Sequence, residues 1–506
     1  MVPPIKKDPK SLIYLFLLLI LISFLFLQKI NLTNSDIGRH IVNGEIFFNE
    51  GKILSQNFYS YTNSDYSTIT SHWGYGPIVY LIWIFMGFSG LSLLNLMFFL
   101  VTFVIFFSIA KEKGNSSLAI FSTLLLIPLL TYRKEVRPEF LSYLFLALYY
   151  LFLTKFKDKK INFRRLSLII LPLQILWINI HIFFVFGLAI ISLFTLESYF
   201  NDKANFKKYL LLLGGSILAS LINPHFINGL IYPLTIFQNY GYRLAENMNV
   251  FFMQARFYNP LYIYFEFVFI ITLVSFFLSK KTLKQNLLNI FIFSTFGILA
   301  FKMIRNIPIL GFIALPILSE NLNEFYRTLR KNQKKFLATL FIIILLIFMI
   351  MGLNYFSQKG TRGFGLIENS EDSLNFFIQN NLEGPIFNNY DIGGYLIFGL
   401  FPEEKVFTDN RPEAYPGNFF KDIYIPLQEN ETLWKEYEDD YNFNTIFFNR
   451  NDITPWAQDF LIKRIKDPSW TPVYVDNFVI IYLKNNEKNK ELIKKFEIPQ
   501  NYFVIN

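Results

Sequence analysis

Residues 11–40 read SLIYLFLLLILISFLFLQKINLTNSDIGRH. The run from Ser11 to Leu27 carries no charged residue. At about 1.5 Å per residue it reaches membrane-crossing length. It is longer than a signal-peptide core and no small-x-small cleavage site follows it, so it reads as a first span. Directly after it, Thr33-Asn34-Ser35-Asp36-Ile37-Gly38-Arg39-His40 gathers an acid, a guanidinium and an imidazole.

The rest of the chain repeats this contrast. Of 506 residues, 53% are hydrophobic and 17% charged, and the mean hydropathy is +0.34. A soluble chain has about 25% charged residues, so this one lacks the polar surface to cover itself. Apolar runs near 11–30, 91–110, 118–131, 139–154, 166–180, 183–198, 209–222, 261–279, 286–303, 306–319 and 336–354 give about eleven spans. Pro77 to Phe88 is apolar but short, and Gly87, Ser89 and Gly90 interrupt it. It reads as an interfacial or re-entrant helix. The expected fold is mainly α: a polytopic membrane domain over 1–356, with an external loop at 31–90.

Residues 357–506 have soluble composition and alternate between element types. Helices are expected at 371–381, 391–399, up to about 440, and 455–466. Strands are expected at 385–388, 404–408, 445–449, 470–475 and 478–483. The alternation predicts a small α/β domain around a mostly parallel sheet.

Cysteine is absent, which removes disulfides, thiolate nucleophiles and Cys-based metal sites. The net charge of +9 follows membrane topology, so no nucleic-acid partner is expected. Lys and Arg crowd the loops around 6–10, 111–113, 155–165, 203–208, 280–284 and 327–335, and are sparse in the alternate set. The positive-inside rule places the crowded set in the cytoplasm. The N-terminus is then inside, and with an odd number of spans the C-terminal domain lies outside.

In that orientation all four histidines, His40, His72, His181 and His225, fall on the outer side. Asp36, Glu45, Arg133, Arg137, Glu139, Asn179, Asn223, Glu246, Arg305 and Asn306 join them. Polar groups at membrane depth are costly and often functional. Asp36 and His40 share a helical face at i and i+4, although Asn34, Ser35 and Asp36 all suit an N-cap. Arg133 and Arg137 stand against the charge rule; phosphate recognition through bidentate hydrogen bonds is one reason. Pairing with Glu135, Glu139 or lipid headgroups is another. His72 sits in Ser71-His72-Trp73, which also suits an interfacial belt. Asn179 and His181 share one outer turn, where a hydrogen-bonded structural role is the plain alternative. His225 follows Asn223-Pro224 at a helix end, and Arg305 at a span end also suits snorkelling.

Metalloprotease, P-loop, dinucleotide-binding and nucleophile-elbow signatures are missing, and no clear D-x-D pair is present. An outward-facing enzyme must draw on a donor already carried in the membrane. Against this background the first loop resembles that of the GT-C glycosyltransferases, which include protein O-mannosyltransferases and the aminoarabinose transferases of lipid A. A group of bacterial multi-pass proteins with the same layout is closer still. The segments that carry the resemblance are Asp36-Ile37-Gly38-Arg39-His40, Tyr59-Ser60-Tyr61-Thr62, His72-Trp73, Arg137-Pro138, Trp177-x-Asn179-x-His181, Asn223-Pro224, Arg305-Asn306, Gly393-Gly394-Tyr395-Leu396 and Asp409-Asn410-Arg411.

The resemblance implies a hexosyl- or pentosyltransferase of the bacterial cytoplasmic membrane. Its donor is a polyprenyl-phosphate-linked sugar and its acceptor a lipid, glycan or protein. Asp36 then deprotonates or orients the acceptor, and His40, His72, Arg133, Arg137, Asn179, His181, His225, Glu246 and Arg305 bind substrate. A single Asp36 stands where relatives often show an acidic pair, which leaves a divalent metal ion as an open cofactor question. The alternatives are a polysaccharide or lipid transporter, flippase or polymerase, and a non-catalytic envelope-assembly protein.

Overall fold

The structure is a computed structural model that describes residues 9–238, 240–334, 339 and 361–503. The expected span at 336–354 lies almost entirely outside the described residues. Each of the other ten expected spans falls on a helix. Six helices are long and apolar enough to cross a membrane: Tyr75–Lys113, Glu139–Lys157, Phe163–Ile180, Phe184–Asn201, Pro260–Leu278 and Leu283–Lys302. Leu12–Phe26 and Ser116–Leu130 are shorter apolar helices. Among the described residues, length and composition thus support six of the eleven expected spans.

Two compact units emerge. The first comprises Met1–Gln28, Leu93–Ile222 and Arg243–Gly363; the second comprises Lys29–Ser92, Asn223–Tyr242 and Phe364–Asn506. Helix starts in the first unit follow local chemistry. Asn115 accepts from the Leu118 N–H, Asn259 accepts from Leu261 ahead of a helix opened by Pro260, and Thr282 and Gln285 form a reciprocal capping box. The core is aromatic: Phe26 stacks on Phe99 at 4.1 Å, and Phe99, Phe106 and Tyr143 surround Phe312. Outward faces are also apolar, with Leu12, Phe16 and Ile20 on one helix and Ile263, Ile270 and Phe277 on another all exposed. A water-facing helix would be polar there; lipid-facing helices are not.

The second unit carries a four-stranded sheet: β1 (Ile386–Asn388), β2 (Thr445–Asn449), β3 (Trp470–Val475) and β4 (Val479–Lys484), in the order β1-β2-β4-β3. Only β1 and β2 run parallel; β2–β4 and β3–β4 are antiparallel. This corrects the expectation of a mostly parallel sheet. The short link between β3 and β4 allows a hairpin, which is antiparallel by construction.

The expected strand at 404–408 is absent. Val406 instead exchanges backbone hydrogen bonds with Tyr59 and Tyr61, and the Asn388 side chain takes the Phe407 N–H and donates to Thr408 O. A side-chain amide and a loop thus occupy the groups that a ladder would have used. The break foreseen near Gly87 is a residue at φ +59°, inside an otherwise continuous Tyr75–Lys113 helix. Glycine reaches that conformation without steric cost.

Candidate functional site

Asp36 opens the helix Ile37–Glu50 in the second unit but makes no side-chain cap; the Ile37 N–H donates to Ser35 Oγ at 3.2 Å. Its carboxylate accepts from Asn410 Nδ2, while Asn410 Oδ1 accepts from Arg39 Nε at 3.3 Å. The amide thereby bridges an acid and a base 374 and 371 positions away. The helix is brought there by a close crossing. A Cβ on Gly38 would lie 2.7 Å from Phe398 Cβ and 2.8 Å from Gly394 O, in the helix Gly393–Leu400.

The Asn410 loop is itself rigid. Arg411 Nε and Nη2 reach both carboxylate oxygens of Asp409 at 2.8 and 2.6 Å, and Nη2 also reaches Asn57 Oδ1 at 2.9 Å. Asp409 is fully buried and Arg411 nearly so. The Asp409 carboxylate beside it holds the Arg411 guanidinium charged, against the effect of burial.

The histidines of this unit are dispersed in role. His40 is buried, its ring edge-on to those of His72 and Tyr75 at 5.0 Å each. His72 Nδ1 lies 3.2 Å from Ser71 Oγ. His225 is half-buried, its backbone N–H donating to Asn223 Oδ1, and burial lowers the pKa of its ring.

The first unit holds a separate charged cluster. Arg133 reaches Glu246 at 2.9 Å and Glu139 at 3.4 Å. Arg137 reaches Glu246 at 2.7 Å, and Arg305 reaches Glu139 at 2.8 Å and Glu246 at 3.3 Å. Three guanidinium groups thus share two carboxylates at ion-pair distance, and Glu135 is a further acid that acts on Arg133. Arg133 and Arg137 lie in an irregular turn and not on a helix, so the shared acid, and not helical spacing, brings them together. Burial alone would raise the Glu246 carboxyl, but Arg133, Arg137 and Arg305 hold it well below the usual range.

Donors remain. Arg305 Nε and Asn247 Nδ2 are buried without a hydrogen-bond partner among the described residues. An orphaned buried donor is costly unless a ligand or water fills it. Near this cluster in the chain, His181 Nδ1 pairs with Ser142 Oγ at 2.8 Å, and Ser142 also takes the Trp177 indole N–H at 2.8 Å. Asn179 donates to Ile175 O and Ile222 O, tying together two helix ends.

Sequence reasoning singled out Asp36 and the arginines but did not pair Asp36 with Asn410, or Asn410 with Arg39. The Asp409-Asn410-Arg411 motif was the available signal. For a metal, the donor set does not fit: among the described residues no three His, Cys, Asp or Glu side chains group to hold an ion.

The fold has solved counterparts. The chain is similar over 95% of its length to the oligosaccharyltransferase AglB of the archaeon Archaeoglobus fulgidus, solved with an inhibitory peptide and a dolichol-phosphate. The TM-score is 0.64 at 11% identity, covering 75% of that chain. A second Archaeoglobus fulgidus oligosaccharyltransferase structure, tethered to an acceptor peptide containing an NVT sequon, matches at TM-score 0.59 and 13% identity over the same shares. The fold is therefore GT-C-like, as the first loop suggested. No protein family and no curated protein matches the chain in sequence.

Proposed function

We propose that this protein is a membrane glycosyltransferase of the bacterial cytoplasmic membrane. It moves a hexosyl or pentosyl group from a polyprenyl-phosphate carrier to a lipid, glycan or protein acceptor on the outer side. About eleven spans place the N-terminus inside and the C-terminal region outside. Asp36 acts on the acceptor's hydroxyl or amine, and Arg133, Arg137 and Arg305 hold the carrier phosphate and stabilise the charge it gains on departure. Direct displacement inverts the anomeric centre.

The observation that carries this reading is the buried arginine cluster, with two buried donors unfilled among the described residues, in a chain of GT-C-like fold. An anionic oxygen group supplies what Arg305 Nε and Asn247 Nδ2 lack. His181 and Asn179 support the cluster by fixing the helix ends beside them in the chain. His40, His72 and His225 are substrate-binding candidates of the second unit.

The test is mass spectrometry of lipids that co-purify with the protein, joined to a transfer assay over a panel of polyprenyl-phosphate sugars. Bound polyprenyl lipid and turnover with one donor are expected. No polyprenyl lipid and no turnover with any donor would overturn the reading.

A further inference from the structure

The second unit holds a cleft of about 540 Å³ that none of the site residues described above lines. Its volume lies within the range of about 300–1,000 Å³ usual for small-molecule sites. Tyr66, Phe237 and Tyr240 line it together with the amides of Gln238 and Asn418. Phe237 is 45% exposed, and its ring meets that of Tyr240 edge-on at 5.3 Å. The side chains of Gln238 and Asn418 are exposed as well. Among the described residues, no charged side chain lines the cleft. A carrier phosphate therefore finds no cation there, and a lipid tail would cover two amides without pairing them, which is costly.

The lining segments are fixed from behind. The Asn57 N–H donates to Tyr66 O at 2.9 Å, and Asn57 Oδ1 accepts from Arg411 Nη2 at 2.9 Å. Asn410, next to Arg411 in the chain, is the residue that binds Asp36. Tyr415 and Phe419 bracket Asn418: their rings stack at 4.9 Å, and the Tyr415 hydroxyl accepts from the Asp409 N–H at 2.9 Å. The segment carrying Phe237 and Tyr240 meets this one backbone to backbone, since a Cβ on Gly241 would fall 2.2 Å from Gly417 O. Tyr242, one residue further on, is buried and stacks on Tyr390 at 4.3 Å. A cleft held in this way is preorganised, so a ligand pays little to order it.

We propose that this cleft binds a neutral sugar residue of the acceptor, which is therefore a glycan. The proposal rests on the glycosyl-transfer reading, in which Asp36 of the same unit acts on the acceptor. A pyranose ring presents a face of C–H groups and a rim of hydroxyls. The negative face of an aromatic ring attracts the C–H groups. A side-chain amide both donates and accepts, as each hydroxyl does. Phe237 and Tyr240 thus supply the platform, and Gln238 and Asn418 read the rim.

The full-length protein in detergent provides the test. The binding probes are neutral oligosaccharides of two to four hexose or N-acetylhexosamine units, an unglycosylated peptide of similar size, and polyprenyl phosphate. Saturation-transfer NMR should mark the sugar C–H protons, and titration calorimetry gives the Kd. Phe237→Ala should weaken oligosaccharide binding roughly tenfold, the worth of one aromatic contact. Phe237→Trp should hold it, whereas Phe237→Leu should recover little, because it restores apolar bulk without a ring. Asn418→Ala should cost roughly three- to tenfold, as one hydrogen bond does. Both positions are exposed, so the fold should survive, and an unchanged melting temperature checks this. Polyprenyl phosphate bound without any oligosaccharide, or oligosaccharide binding that Phe237→Ala and Asn418→Ala leave unchanged, overturns the proposal and leaves the transfer reading standing. Tighter binding of the peptide than of every oligosaccharide overturns it too, and assigns the cleft to a protein acceptor. Oligosaccharide bound in a protein that neither holds polyprenyl phosphate nor turns over any donor keeps the sugar site and overturns the transfer reading.

Discussion

The Ile37 N–H, a first-turn donor of its helix, is taken by Ser35 Oγ, which leaves the Asp36 carboxylate to accept from Asn410. Asp36→Asn should therefore fold normally, because no cap is lost. Turnover should fall roughly 10²–10⁴-fold, since the charge and basicity are gone. A transfer assay at matched membrane abundance checks this, and retained activity would return the residue to a structural role. Arg137 is the matching test on the donor side. Arg137→Ala should weaken polyprenyl-phosphate binding by about 1.5–3 kcal/mol, the range for hydrogen bonds to charged groups. Arg137→Lys should recover only part, because the planar fork is lost. Equal binding in all three proteins would assign Arg137 to holding Glu246 alone.

Among elements, buried charge organises both the loop Asp409–Arg411 and the arginine cluster. Arg411→Ala strands a fully buried Asp409, and should destabilise the protein by about 3–5 kcal/mol, measured by denaturation in detergent. A loss under about 1 kcal/mol would mean that water reaches the pair, as at exposed ion pairs. Glu246 gives a pH signature. Its carboxyl is depressed in the folded state from an ordinary value of about 4.5. The stability it contributes is thus fully present above that value and is lost as pH falls through the lower folded value. Glu246→Gln should lower the melting temperature at neutral pH, and the gap to wild type should narrow progressively as pH falls below about 4.5. A constant gap across that range would remove Glu246 from the account of acid stability.

Over the whole molecule, the Lys and Arg asymmetry is the basis of the proposed orientation. Reporter fusions should give a periplasm-active tag at residue 506 and a cytoplasm-active tag near Lys160. The reverse pattern would move the Asp36 loop to the wrong side for a lipid-carried sugar and remove the basis for the proposed donor.

Composition and apolar run length determined by themselves that the chain is membrane-embedded and mainly helical, because lipid imposes a local requirement on every residue of a crossing helix. They also located ten expected spans on helices and placed Asp36 just past the first of them. Tertiary structure alone decided the rest. The segment 404–408 has strand-like residues, but Asn388 and the 59–61 loop take its hydrogen bonds. That β3 and β4 pair antiparallel depends on the short hairpin between them, not on either strand's own pattern. The partners of Asp36 and Glu246 lie 374 and 113 positions away. Periodicity and composition act over a few turns of chain, whereas a carboxylate's partner is chosen by whichever donor folding brings within about 3 Å.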